Sequence, residues 1–494
     1  MGPVRRMQQV EVVDDGHPAV AADEVRAAGR VRRWWAVLLV VVLVLVGAQL
    51  ALAARDRTLS SRLAQLPGVL PPVEADVRAL WRVDATDTEV LTEGVAVEGD
   101  LVGVRTGADG AQSVVALDAR TGAERWAAPL ADPDVVLAQR GARASVTSCL
   151  PVPDAGTDAT AHRVACLVSD ALLAIGIRGR LTVTRPPTTS RVVVVDAADG
   201  RVVADRTAPP AIAFAVLPGL VAVGVPGHDG HAEVTAQDLL TGEARWRYTS
   251  GRPALDPVGD VSGFGVLALG GGVAVLEVGS AVTLLGADGT VARERQRYDR
   301  LSRDEAATRL EVLSGYLAFR PVTTIVQPGR ADVTIPGRLV HRSVDDGSLP
   351  GIELIEGSRM QARDATSGDH LWQTDRHTSG PVLVLQGLVY CTSGDAPGEV
   401  VAYDGRSGEV AWSASIGSYD QLVRLMTDGR VLLVGLTPEE GSAAGSLVAF
   451  SLPGGERLWR VPLPDGLDAA WSQGHVLVAG EGADPTPAAV LGSS

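Results

Sequence analysis

Hydrophobic positions follow two different patterns along this chain. Between Arg33 and Arg55 no residue is charged, and Val37 to Val46 is an unbroken run of valine and leucine. At about 0.3–0.6 kcal/mol per residue, that run alone favours bilayer insertion by roughly 3–6 kcal/mol. The uncharged stretch is long enough to cross a hydrocarbon core of about 30 Å as a helix. Trp34 and Trp35 stand at its start, where indoles prefer the interface. The pattern predicts a transmembrane helix over 34–54, so the lipid bilayer is one expected partner. Residues 1–33, of mixed charge and no clear period, read as a short cytoplasmic tail. Residues 55–78, with Pro67, Pro71 and Pro72, read as a stalk. Arg26, Arg30, Arg32 and Arg33 before the span, against Arg55, Arg57 and Arg62 after it, orient the N-terminus to the cytoplasm. Ala51-Leu52-Ala53 would also serve as a signal-peptide cleavage site; the long polar lead and long apolar core favour an uncleaved anchor.

From residue 79 to 494 the pattern becomes short alternating segments closed by turn residues, and one phrase recurs. Its fullest copy is Ala116-Leu117-Asp118-Ala119-Arg120-Thr121-Gly122-Ala123-Glu124-Arg125-Trp126. Ala236, Asp238, Thr241, Gly242 and Trp246 repeat it at the same offsets, as do Ala402, Asp404, Ser407, Gly408 and Trp412. Asp364, Gly368 and Trp372 give another copy, and Gly455 with Trp459 a fifth, where Ser451 takes the aspartate's place. Two degenerate copies keep the frame: Asp196 and Gly200 lead to Ala204, and Asp288-Gly289 leads to Arg293. A last half-copy is split between the ends, since Leu80-Trp81-Arg82-Val83 matches Leu458-Trp459-Arg460-Val461.

The phrase has a physical reading. A strand ends at the aspartate, whose carboxylate can bond turn amides, and the glycine supplies a residue able to take positive φ. The tryptophan then gives the outer strand a broad flat face for the neighbouring sheet, because a four-stranded blade cannot bury both faces alone. Frame positions fall at 81, 126, 204, 246, 293, 372, 412 and 459, eight in all. The spacing predicts eight blades, with insertions near 146–190 and 300–360 in the two long gaps; a hidden blade in either gap would raise the count. Ala469 to Val490 offers strands without an outer tryptophan strand, and Trp81 lacks inner strands. Pairing the two termini completes one blade and removes an exposed edge.

These residues resemble the quinoprotein-type (pyrroloquinoline-quinone-like) propeller repeat, A-x-D-x-x-T-G-x-x-x-W, over about residues 79–494. The resemblance implies an all-β, eight-bladed propeller closed by its N- and C-terminal segments and preceded by one transmembrane helix. Trp81, Trp126, Trp246, Trp372, Trp412 and Trp459 become docking plates. Asp118, Gly122, Asp196, Gly200, Asp238, Gly242, Asp364, Gly368, Asp404, Gly408 and Gly455 become turn residues. The family holds both quinone-dependent dehydrogenases and cofactor-free scaffolds, including the lipoprotein of the outer-membrane assembly machine, so fold alone does not choose a function.

Composition narrows the choice. All 44 basic residues are arginine, and asparagine is absent. Both missing types have A/T-rich codons, which points to a high-GC bacterial source of the actinobacterial kind. A net charge of −15 repels phosphate backbones, so nucleic acid is not an expected partner. The dehydrogenases hold calcium with Glu, Asn and Asp and often carry a disulfide of adjacent cysteines; this chain has no asparagine and no adjacent cysteines. No cofactor, metal site or catalytic residue is therefore expected. Cys149 and Cys166 flank the turn-rich stretch Pro151 to Ala161 and are expected to form a disulfide, permitted in an oxidising exterior. Cys391 reads as a buried small hydrophobe. His228-Asp229-Gly230-His231 lacks a third ligand and reads as a solvated turn.

These features point to a non-enzymatic interaction scaffold on the extracytoplasmic side of the cell membrane, with an envelope protein as partner. A quinone-dependent oxidoreductase and an extracytoplasmic ligand sensor are the alternatives. The two insertions are where specificity is expected.

Overall fold

The structure is a computed structural model. It describes residues 62–493 apart from 67, 85, 98, 139–142, 154–161, 176–180, 228–229, 252–260, 262, 279–280, 304–308, 315–320, 329, 358, 396–397, 417–422, 439–443 and 482–485. The expected tail and transmembrane span, 1–33 and 34–54, lie outside the described residues. No helix among the described residues is long and apolar enough to cross a membrane.

The unit that begins at Leu63 is all-β. Its strands form antiparallel four-stranded sheets in which each strand pairs with the next along the chain. The first spans 95–131, the second 148–208, the third 213–249, the fourth 265–297 and the fifth 300–336. The 16-residue strand His370–Leu385 serves twice, closing a sixth sheet and opening a seventh. The eighth covers 423–462. The ninth joins Ala469–Gln473, Val476–Glu481 and Thr486–Gly492 to Arg78–Arg82 from the other end of the described chain.

Middle strands are continuous apolar runs, as in Val192 to Val195, because neighbouring sheets cover both faces. Outer strands are wetter and alternate, as in Glu124–Ala131. Each sheet shares an apolar cluster with the next: Val114 and Val193 between the first and second, Phe214 and Val194 between the second and third, and so on along the chain. A further cluster sets Val478 and Val490 of the ninth sheet against Leu101 and Val115 of the first.

Nine four-stranded sheets are thus described, where the tryptophan frame gives eight. The extra one is the fifth, which fills much of the expected insertion at 300–360. It is held by Leu310, Val312, Ile325 and Ile335 without any indole, so a count of indoles passes over it. The segment at Leu63–Val73, within the expected stalk, is seated on the sheets. Leu63, Val69, Leu70 and Val73 are buried against the seventh, eighth and ninth sheets.

Candidate interaction surface and the latches that position it

The recurring phrase builds a latch between consecutive sheets. In the first sheet the Asp118 carboxylate accepts from the Arg120 and Thr121 amides at 3.0 and 2.9 Å, and the Gly122 amide donates to the Asp118 carbonyl at 2.8 Å. Asp238, Asp364 and Asp404 make the same turn. Arg125 and Arg245, one residue before the tryptophan, reach back to Asp118 and Asp238 at 2.9 and 2.8 Å. The Arg125 guanidinium, helped by Thr121 and the turn amides, holds the Asp118 carboxyl down at about 2. Asp238 is lowered in the same way, by Arg245 first.

The glycine of that turn is the seat for the indole of the preceding sheet. Gly122 has φ +68°, and a β-carbon there would lie 2.5 Å from the Trp81 ring. Gly200, Gly289, Gly408 and Gly455 stand in the same relation to Trp126, Trp246, Trp372 and Trp412. Each indole N–H then donates to a carbonyl at the start of that turn: Trp81 to Ala119, Trp126 to Ala197, Trp246 to Ala287, Trp372 to Gly405 and Trp412 to Leu452, at 2.8–3.1 Å. Opposite the ring across its own sheet stands a small residue, as in Ala116↔Trp126 and Ala402↔Trp412, which leaves room for it. Trp459 packs against the cluster between the eighth and ninth sheets.

Three interfaces lack the indole. At the Ala204 position, Arg206 substitutes two residues on: its stem lies against Gly242 and its Nε donates to the Leu240 carbonyl at 2.6 Å. At the next, Arg293 donates to the Arg330 carbonyl at 3.1 Å and pairs with Asp332. A β-carbon built on Gly368 would meet only the Thr334 carbonyl, at 3.5 Å. Sequence reasoning places Arg293 in the frame but assigns it no role, and it misses Arg206.

The latches hold two elaborations. Cys149 and Cys166, directly opposite on neighbouring strands, are joined at 2.03 Å. Beyond them the second and third strands of the second sheet run on as Leu172–Ile175 and Leu181–Arg185, and Arg143–Ser145 adds a third strand. This small sheet is tied down by Arg185, which bonds the Asp134 carboxylate and the Asp170 carbonyl, both at 2.5 Å. The second elaboration is the strand Arg342–Asp345, which pairs in parallel with the seventh sheet. It brings Arg342 to Glu353 at 3.1 Å, while Arg309 of the fifth sheet approaches the same carboxylate at 2.5 Å. Glu353 is buried, so one carboxylate holds together the fifth, sixth and seventh sheets.

No group of three or more His, Cys, Asp or Glu side chains able to hold a metal occurs among the described residues. Glu353 is saturated by two arginines and Asp428 by Arg430 and the Val73 amide. The single disulfide lies between strands, not between adjacent residues. Among the described residues, the donors present do not fit a calcium-bound quinone. His231 donates from Nδ1 to the Ser250 carbonyl at 2.5 Å; His228 and Asp229 lie outside the described residues. Cys391 is free and buried, its thiol pushed up to about 12 by that burial.

Successive four-stranded sheets, latched turn to ring, define a β-propeller repeat protein. The family described as outer membrane protein assembly factor BamB matches residues 73–147 and 356–483. Those two segments carry the PQQ-like repeat of that family. No curated protein matches the chain significantly. Among solved structures it is similar to BamB from Moraxella catarrhalis, at 15% identity over 71% of this chain and 98% of that one, with a TM-score of 0.36. The quinohemoprotein alcohol dehydrogenase ADHIIG from Pseudomonas putida matches at 15% identity over 89% and 81%, with a TM-score of 0.38. The computationally designed Ika8 protein matches at 12% identity over 87% and 100%, with a TM-score of 0.33.

Proposed function

We propose that this chain is a membrane-anchored, extracytoplasmic propeller of nine blades in one closed ring, acting as a non-enzymatic protein-interaction scaffold at the cell envelope. The observation that carries this reading is where the acidic and sulfur groups go. Asp118, Asp238, Asp364 and Asp404 are spent on turns, Glu353 on an inter-sheet tie, Asp428 on the segment seated at Val73, and Cys149 and Cys166 on each other. What remains distinctive is the added sheet at 143–185 on a rigid frame, the arrangement in which loops and hairpins carry recognition.

Three further observations support it. The matched family is described as outer membrane protein assembly factor BamB. The Cys149–Cys166 bond suits an oxidising compartment. The uncharged stretch 34–54 has the length and interfacial indoles of a membrane span.

The test uses the full chain in lipid nanodiscs, titrated with pyrroloquinoline quinone and calcium. The scaffold reading expects no saturable heat; one-site micromolar binding would replace it with a quinone-dependent oxidoreductase. In parallel, a photo-crosslinker at the exposed Thr184 should give a discrete adduct in native membranes, and one at Leu458, on the outer strand of the eighth sheet, should not.

A further inference from the structure

The repeat supplies an internal standard for what belongs between two sheets, and of the three interfaces that lack the indole, the one between the fourth and fifth sheets borders a cavity. Where the fourth sheet meets the fifth, Arg293 stands at the frame position of the indole. Its cross-strand partner is Leu284, where the complete copies have alanine. The guanidinium is drawn away to the Arg330 carbonyl and the Asp332 carboxylate of the next sheet's turn. Arginine thus keeps the latch's hydrogen bond to a turn carbonyl, but it does not supply the ring.

The missing ring leaves a space. A cavity of about 210 Å³ lies here, bounded by Leu269, Val273, Leu284 and Leu285 of the fourth sheet, by Arg293, and by Pro328 of the fifth-sheet turn. Its floor is the hairpin at Gly270–Gly272, which the Pro328 ring approaches at Gly270 and which is open at Gly271. The four aliphatic residues are buried. An apolar cavity of about 150 Å³ is enough to stay dry and accept a benzene ring, so this one has room for a bicyclic ring. It also has one cationic group at its wall, and a guanidinium beside an aromatic face is attractive.

We infer that this cavity is a binding site for a planar aromatic group of indole size, taken from outside the chain into the volume that the chain's own indole fills at the latched interfaces. The ligand is held by aliphatic contact with Leu269, Val273, Leu284 and Leu285, and its aromatic face meets the Arg293 guanidinium. The chemistry is shared by two sources, a free small aromatic compound and an aromatic side chain presented by a bound protein.

The experiment measures indole binding to the full chain in nanodiscs by calorimetry, with Arg293→Trp in identical discs as the reference that subtracts partition into lipid. Cyclohexanol serves as the non-aromatic control. Wild type should bind indole saturably with Kd on the order of 0.1–1 mM, as expected for a ligand of few heavy atoms, and cyclohexanol at least tenfold more weakly. Arg293→Trp fills the site from within and should lose binding. Ala292→Phe, at an exposed position on the cavity's rim, should also lose it, which keeps the test decisive if Arg293→Trp fails to fold. N-acetyl-tryptophanamide separates the sources: binding like indole supports a presented side chain, and exclusion supports a free compound. Absence of saturable indole binding to wild type, or unchanged binding in folded Arg293→Trp or Ala292→Phe, would overturn the inference.

Discussion

At the residue scale the molecule is governed by a glycine and an aspartate used together. Gly122 must take φ +68° and must also leave its β-position empty, because the Trp81 ring lies 2.5 Å from where that carbon would be. Gly122→Ala therefore combines a left-handed backbone penalty of about 1–2 kcal/mol with overpacking of about 1–3 kcal/mol. Urea denaturation should show a loss of about 2–5 kcal/mol, well above that for an alanine placed at the exposed Gly347, which shares the positive φ but meets no atom within 4 Å. The aspartates predict a pH effect whose sign follows from their lowered titration. Asp118 falls from 3.8 to about 2, and Asp238, Asp288, Asp364 and Asp404 are lowered too. A carboxyl depressed in the folded state binds protons more readily when unfolded, so its stabilisation is full above about pH 4 and is lost as pH falls toward 2. The urea midpoint should drop across that window, and Asp118→Asn should drop less steeply there while starting lower at neutral pH.

At the scale of the single element, two contributions can be isolated. The Cys149–Cys166 bond spans 17 residues of sequence, and a loop of that size corresponds to about 3 kcal/mol in the chain-entropy view. Cys149→Ser with Cys166→Ser should lower unfolding free energy by about that much, with faster hydrogen exchange confined to the second sheet and its neighbours. Glu353, buried between Arg309 and Arg342, is a different case. Removing one partner of a buried ion pair strands the others, at a cost of about 3–5 kcal/mol. Glu353→Ala should lower the melting temperature by several degrees, and more than removal of the exposed pair partner Asp465. The same scale shows what sequence could reveal. The turns at Asp118, Asp238, Asp364 and Asp404 were legible because a backbone needing positive φ and an amide-binding carboxylate leave few residue choices. The fifth sheet was not legible, because Leu310, Val312, Ile325 and Ile335 are ordinary strand residues and its interfaces use Arg293 and Thr334 instead of a ring. Arg206 was hidden for a related reason: a long side chain can reach a carbonyl from two positions away, so it breaks the frame without breaking the contact. The added sheet at 143–185 was legible as an insertion but not as strands, since nothing local signals that Arg143–Ser145 pairs with Leu172–Ile175.

At the scale of the whole molecule, stability depends on joining the ends. Arg78–Arg82 pairs with Thr486–Gly492, and Trp81 from the same strand sits on Gly122 of the first sheet. Deleting residues through Val83 would leave an unpaired sheet edge and an empty ring seat at once. Such a truncation should unfold at lower temperature, lose a single cooperative transition and aggregate, all visible by calorimetry with light scattering. The cluster shared by the ninth and first sheets, which contains Leu80 and Trp81, explains why the loss would spread to both.

The seated segment Leu63–Val73 has a mechanical consequence. The Leu70 amide donates to the Thr427 carbonyl at 2.8 Å, the Val73 amide to Asp428 at 3.0 Å, and the Val69 carbonyl meets His475 at 2.8 Å. Ser493 bonds the Pro72 carbonyl and the Glu74 amide. Tension entering from the residues before Leu63 is therefore borne first by these ties, upstream of Arg78–Arg82, and the strand that completes the ninth sheet is shielded from load. Under a steadily rising pull from the N-terminal side, a force–extension trace should show a short release of about ten residues before any sheet opens, as a fuse gives way ahead of the circuit it guards.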